Sequence, residues 1–249
     1  MAEPSGPLLM ALDAGIGGGR CLIFTTGGEL VGRGYQEWIA TPEPEHPGAY
    51  NFDPAAYWAA LVAATRSALA SGRVDPARIA GISTTCQREG FVLLDAEGAS
   101  VYAGPSPDNR GFAENATLKA QYGPELYPVT GHQPESLHAP GRLRWLETHR
   151  PDAFARADRL LMMNDWMLHQ LGGAWLGEPS NASTTTLLDV HTGGWSDHAI
   201  RLADLPRRIF PPLVPSGTPA GELSAEAAAA LGLPPGIPLA TGGGDGQCG

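Results

Sequence analysis

The chain contains a single lysine, Lys119, and its 16 basic residues are outnumbered by 26 acidic ones, leaving a net charge of -10. With no Lys/Arg cluster, it lacks the electrostatic footprint needed to neutralise a phosphate backbone, and nucleic acid is excluded as a partner. The acidity reads simply as solubility. Cysteine is equally scarce. Cys21, Cys86 and Cys248 have no metal-ligand spacing, and an odd count makes a poor disulfide framework. A reduced, cytoplasmic setting is the expectation. Met1-Ala2-Glu3-Pro4 has neither the basic start nor the apolar run of a signal peptide. No stretch approaches the roughly 18 apolar residues of a membrane span, so no membrane partner is expected. A Gly-Lys-Ser/Thr phosphate loop is also missing, and the seven histidines show neither nucleophile pairing nor metal spacing.

An apolar fraction of 43% is enough for a core, and 249 residues can hold one large domain or two small ones. Leu8 to Leu12 is an apolar run that ends at Asp13 and reads as a buried strand. Arg20 to Phe24 follows a glycine-rich turn as a second strand, and Glu29 to Trp38 makes a third after Thr25-Thr26-Gly27-Gly28. Asp53-Pro54 is a helix start, with Asp as cap and Pro at the first position. Trp58, Leu61, Val62, Thr65 and Leu69 then recur at the spacing of one helical face, up to Ser71-Gly72. A strand over Ile79 to Ser83 and a hairpin pairing Phe91–Leu94 with Val101-Tyr102 come next. Helices are expected at about 111–122, 141–148, 151–157 and 164–171, and a last buried strand at Ile237 to Ala240.

Several stretches can carry chemistry. Asp13 precedes Gly15-Ile16-Gly17-Gly18-Gly19-Arg20. Such a turn exposes N–H groups to phosphate oxygens, with Arg20 adding charge and Asp13 holding a metal ion or its waters. The alternative is a flexible hairpin with a structural Asp. Arg88 and Glu89 can grip hydroxyls, one donating and one accepting, or form a surface ion pair. Asp108-Asn109-Arg110 can do the same, or cap the helix near Gly111. Asp165 reads as a helix-start acid rather than a catalyst. Ser180 to Thr186 can line a polyol site or make turns and caps. His132 and His138 lie in a loop within reach of a ligand, whereas His191 and His198 read as solvent-facing loop residues. Asp245, set in Gly242-Gly243-Gly244-Asp245-Gly246-Gln247, can act as a general base or serve as a structural Asp in a turn.

Three antiparallel strands, a helix and a strand, followed by further strands and helices, is the order of a ribonuclease-H-like core, shared by actin, hexokinase and sugar kinases. An α/β domain with a mixed sheet and flanking helices is therefore expected. The motifs sharpen this. Ala11-Leu12-Asp13-Ala14-Gly15 with Arg20, Cys86-Gln87-Arg88-Glu89-Gly90, Arg142 to Leu146, Glu178 to Ser183 and Gly243 to Gln247 appear in one order. Together they resemble the FGGY carbohydrate kinases across about Leu8 to Gly249, with the closest look to the autoinducer-2 kinase branch.

The resemblance implies an ATP-dependent, Mg²⁺-assisted transfer of the γ-phosphoryl group to a small sugar, polyol or linear ketose. Xylulokinase-like or glycerol kinase-like chemistry, or a non-catalytic sugar-binding domain, are the alternatives. It implies Asp245 as base, Arg88, Glu89, Asp108 and Gln247 on substrate hydroxyls, and Asp13 positioning magnesium. The turn from Gly15 through Gly17 and Gly18 to Arg20 would face the ATP phosphates. The family's phosphate turn normally reads Gly-Thr-x-Ser, whereas Ile16 and Gly18 stand here without hydroxyls, so weakened phosphate binding is expected. The chain would be the substrate-binding N-terminal domain, with the nucleotide-binding C-terminal domain absent. Its uncovered face would also suit a homodimer.

Overall fold

The computed structural model describes residues 6–248. Strands β1 (Leu8–Ala14), β2 (Gly18–Thr25) and β3 (Leu30–Glu37) form an antiparallel meander. A two-residue ladder of β4 (Thr41–Pro42) and β5 (Tyr50–Asn51) leads into helix α1 (Pro54–Ser71). Asp53 caps α1 by accepting from the Ala55 N–H at 2.9 Å, and Pro54 opens it.

The buried stripe of α1 is Tyr57, Leu61, Ala64, Thr65 and Ala68. Trp58, Val62 and Leu69 flank this stripe half-buried, rather than centring it as their spacing predicts. Close approach is the reason. A Cβ on Gly34 of β3 would stand 1.9 Å from the Ala64 carbonyl, so the contact line takes alanines and the large side chains wrap its sides.

Strand β6 (Ile79–Cys86) returns parallel to β1. The hairpin β7 (Phe91–Leu94) and β8 (Ser100–Gly104) follows as expected. Helix α2 runs over Phe112–Thr130, eight residues past its expected end and through Pro124 and Pro128. Leu126 is fully buried and the Thr130 hydroxyl bonds to its carbonyl, so packing outweighs the two missing donors. After α3 (Ala139–His149) and α4 (Pro151–Arg156), strand β9 (Arg159–Met162) pairs antiparallel with β7.

Helix α5 (Met163–Gln170) then packs on the main sheet, and α6 (Pro179–Ser183) sits by the end of β13 (Pro238–Gly244). The short ladder β10 (Leu188–Asp189) and β11 (Gly194–Trp195) is followed by α7 (Asp197–Leu202), β12 (Pro219–Glu222) and α8 (Ala225–Leu231). The single turn α9 (Asp245–Cys248) comes directly off β13.

The main sheet has the order β12-β13-β6-β1-β2-β3. Leu8, Met10, Leu12, Cys21, Ile23 and Ile82 point into one core with α1, α5 and α8. A second core gathers around the β8-β7-β9 sheet, with Leu126, Leu143 and Trp145. The architecture is the mixed α/β sheet with flanking helices expected from the order of elements. Strands β1, β6 and β13 are parallel neighbours, so their carboxyl ends share one edge of the sheet.

Candidate functional site

That edge gathers the chemistry. Asp13 lies at the end of β1, Arg88 and Glu89 follow β6, and Asp245 follows β13. In open α/β sheets, ligands bind outside the carboxyl ends of the strands. A cavity of about 480 Å³ is lined here by Asp13, Arg20, Thr85, Gly242, Asp245 and Cys248, over a floor that includes Leu22 and Phe24. Arg88 Nε stands 3.5 Å from Asp245 Oδ1, and Arg20 Nη1 3.4 Å from Asp13 Oδ2. Burial raises the Asp13 carboxyl above its ordinary range; Arg20 pulls it back and the charge of Asp245 adds to the rise. Asp13 and Asp245 therefore share one electrostatic environment.

The glycine-rich turn is braced rather than loose. The Gly15 carbonyl accepts from Trp38 Nε1 at 3.1 Å and Gln87 Nε2 at 3.2 Å, and the Gly17 carbonyl accepts from the Tyr35 hydroxyl at 3.0 Å. Gly17 has open space beside it, and Arg20 is exposed at the edge of the cavity. Gly18 is buried beneath the Tyr35 ring, where packing accounts for its identity. Ile16 is 61% exposed.

After β6, Glu89 is held at a positive φ of 64° and its Oε2 accepts from the Ser106 hydroxyl at 3.0 Å. Gln87 ties the two halves together: it donates to Gly15 and its Oε1 accepts from the Ser106 N–H at 3.2 Å. Buried Arg142 donates to the carbonyls of Glu89, Pro105 and Leu137, joining three loops behind Glu89. Ser106 escaped the sequence reading because nothing local marks it. Arg142 stood in a quoted motif, but its partners are distant in sequence. Gln247 lies exposed in α9.

Asp108 is not brought to this site. It is fully buried, both oxygens face Arg110 Nε, and it also accepts from the Tyr102 hydroxyl and the Tyr50 N–H. Its lone pairs are spent on protein groups, which corrects the expectation that it grips substrate hydroxyls. It is no helix cap either, since α2 is capped at Gly111 with no side-chain hydrogen bond.

The short polar run from Ser180 makes caps and turns. The hydroxyls of Ser183, Thr184 and Thr185 bond to carbonyls three residues back. Asp165 is a first-turn acid of α5, as expected, but it is also buried. His138 is held neutral: burial, aided by His132 and Arg142, lowers its ring to about 4. His198 lies on α7 rather than in a loop, paired with Glu125 at 2.9 Å.

The sequence matches the profile of the FGGY family of carbohydrate kinases, N-terminal domain, over residues 8–249. The chain belongs to this family. It is 38% identical over 252 residues to an autoinducer-2 kinase of Photorhabdus laumondii, covering 100% of this chain and 47% of that protein. An autoinducer-2 kinase of Yersinia pseudotuberculosis is 37% identical over 250 residues, 99% of this chain and 47% of the relative. The chain thus spans about half the length of the curated relatives it matches. Among solved structures, a xylulose kinase of Rhodospirillum rubrum superposes with a TM-score of 0.85 at 26% identity, over 96% of this chain and 50% of the other.

As an FGGY N-terminal domain, the chain places three of its motifs at one sheet edge, after β1, β6 and β13. Among its described residues no three His, Cys, Asp or Glu side chains gather as a metal cage, and no helix is long and apolar enough to cross a membrane.

Proposed function

We propose that this chain is the acceptor-binding lobe of an ATP-dependent carbohydrate kinase, acting with a second, nucleotide-binding lobe in the cytoplasm. The convergence of Asp13, Arg88 and Asp245 at the ends of three parallel strands carries this reading. Arg88 and Glu89, with Gln247, hold the hydroxyls of a small sugar or polyol. Asp245 accepts the proton of the reacting hydroxyl as its oxygen attacks the γ-phosphorus. Similarity to two autoinducer-2 kinases favours a short linear ketose of that kind as acceptor. The uncovered lobe also suits self-association into a homodimer.

The residues present fit both cofactors. The carboxylate of Asp13 is disfavoured by burial and by Asp245, and its contact to Arg20 at 3.4 Å is a loose one. Mg²⁺ is commonly held through one or two carboxylates, with water and phosphate completing its shell. The exposed Arg20 and the open space at Gly17 suit the phosphates of ATP. When bound, Mg²⁺ neutralises phosphate charge. Positioning of both reactants is then the main contribution of the protein.

A non-catalytic sugar-binding role is the second reading, favoured by the exposed Ile16 in the phosphate turn. Phosphate transfer by the full-length gene product across linear ketoses and polyols separates the two. The kinase reading expects turnover that Asp245→Asn abolishes while sugar binding survives. Sugar binding with no ATP consumption on any acceptor would leave the binding role.

A further inference from the structure

We infer that Ser180 and Glu178 position Asp245 by fixing the peptide that precedes it; this rests on the reading of Asp245 as the base. Strand β13 runs parallel to β6, but their register shifts between Ala240 and Gly243. At the shift a Cβ on Gly242 would lie 1.5 Å from the Thr84 carbonyl, so the two backbones touch. Past this irregularity the pairing resumes with Gly243 opposite Thr85 and Gly244 opposite Cys86, and side chains reinforce it. The Thr85 hydroxyl donates to the Gly243 carbonyl at 2.9 Å. The Gly244 N–H donates to Ser180 Oγ at 2.9 Å. Gly244 is the last strand residue, and Asp245 is the next.

The direction of the Ser180 bond is set from behind. A serine hydroxyl has one proton, and an ionised carboxylate only accepts. Ser180 donates its proton to Glu178 Oε2, which leaves a lone pair for the Gly244 N–H. Glu178 is 3% exposed, and it also accepts from the Ser216 hydroxyl at 2.8 Å and the Asn181 N–H at 3.2 Å. The carboxylate is therefore held both as the cap of α6 and by one further segment, at Ser216. Neither Glu178 nor Ser180 lines the cavity. Their link to Asp245 runs through the backbone of Gly244, whose N–H Ser180 holds.

A base displaced by about 1 Å can cost roughly a hundredfold in rate, while binding contacts elsewhere persist. Ser180→Ala in the full-length gene product should therefore lower kcat roughly tenfold or more and leave the sugar KM within about twofold. Ser180→Thr, which keeps the hydroxyl, should recover most of kcat. In this chain alone, Ser180→Ala should speed hydrogen exchange at the Gly244 amide specifically. If Ser180→Ala does not fold, Glu178→Gln carries the same kcat-against-KM test. A folded Ser180→Ala with unchanged kcat, or with a raised KM alone, overturns the inference. Asp245→Asn is the control. Retained turnover there removes the base itself, whereas lost turnover beside a fully active Ser180→Ala removes only the positioning role.

Discussion

Arg88 Nε lies 3.5 Å from Asp245 Oδ1, joining the loop after β6 to the turn after β13, with both side chains about half exposed at 49% and 52%. An ion pair so open to water contributes about 0–1 kcal/mol to stability. Its value lies elsewhere, in holding a donor beside the proposed base. Arg88→Met should leave the stability of the chain within about 0.5 kcal/mol of the parent. A charge-assisted hydrogen bond to a substrate hydroxyl is worth about 1.5–3 kcal/mol, so the sugar KM of the full-length enzyme should rise about 10- to 100-fold. Thermal melts and initial-rate kinetics on the same variant check both parts. A large loss of stability with an unchanged KM would make the pair structural.

Asp108 makes the opposite prediction. Its carboxylate and the Arg110 guanidinium are both fully buried, with Nε 2.8 Å from Oδ2. The guanidinium also packs 5.0 Å from the Tyr102 ring centre and 5.1 Å from that of Trp145. Removing the Asp108 charge strips Arg110 of its nearest carboxylate and leaves only Glu43, 3.5 Å from its Nη1; breaking such a buried pair costs roughly 3–5 kcal/mol. Asp108→Ala should destabilise this chain by that amount in urea unfolding, independently of any sugar. A variant as stable as the parent would return Asp108 to the list of substrate ligands.

These two acids show how far sequence alone could reach. Asp13, Arg88 and Asp245 were legible because each stands where an apolar strand meets a glycine, a purely local pattern. Asp108-Asn109-Arg110 carries equally local chemistry, but an acid near an arginine reads the same in water and in a core. Burial depends on β8 and α3, which supply Tyr102 and Trp145 from elsewhere in the chain. The same holds for the secondary structure. The first three strands and α1 follow from alternation, turn residues and a cap. Strand β9 is four residues with no alternation, and its partner β7 lies far upstream, so only tertiary pairing defines it. Helix α2 passes two prolines for the same reason. Ser106 acts through bonds to a distant segment, and no spacing announces it; Glu178 stood in a quoted motif, but its bond to Ser216 was not legible there.

Ile16 tests the phosphate turn. Its side chain is 61% exposed beside Gly17, so it supports no core. Ile16→Thr supplies a hydroxyl where the turn has none, and stability should stay within about 0.5 kcal/mol. One added hydrogen bond is worth about 0.5–1.5 kcal/mol, so the KM for ATP should fall about 2- to 12-fold with the sugar KM unchanged. Steady-state kinetics with ATP varied at saturating sugar measure this. An unchanged or higher KM for ATP would show that the turn does not face the phosphates.

Asp165 offers a test by pH. It is 2% exposed, and its polar surroundings, the Met162 and Glu178 backbone and the Asn164 side chain, offset its burial only in part. Burial and then the neighbouring Glu178 push its carboxyl well above the ordinary value of 3.8. The folded chain therefore keeps a proton that the unfolded chain releases. Below 3.8 both states hold the proton, and Asp165 adds no slope. As pH rises from there to the folded value, the unfolded state binds fewer protons, and stability falls. Asp165→Asn has no proton to lose. Its stability relative to the parent should be lowest near pH 4 and rise with pH, the gain reaching on the order of 1–3 kcal/mol once Asp165 would have to ionise in the fold. Urea unfolding of both proteins from pH 4 to pH 8 gives the difference directly. A difference that does not change with pH would mean that Asp165 is ionised in the folded chain and stabilised there by its surroundings.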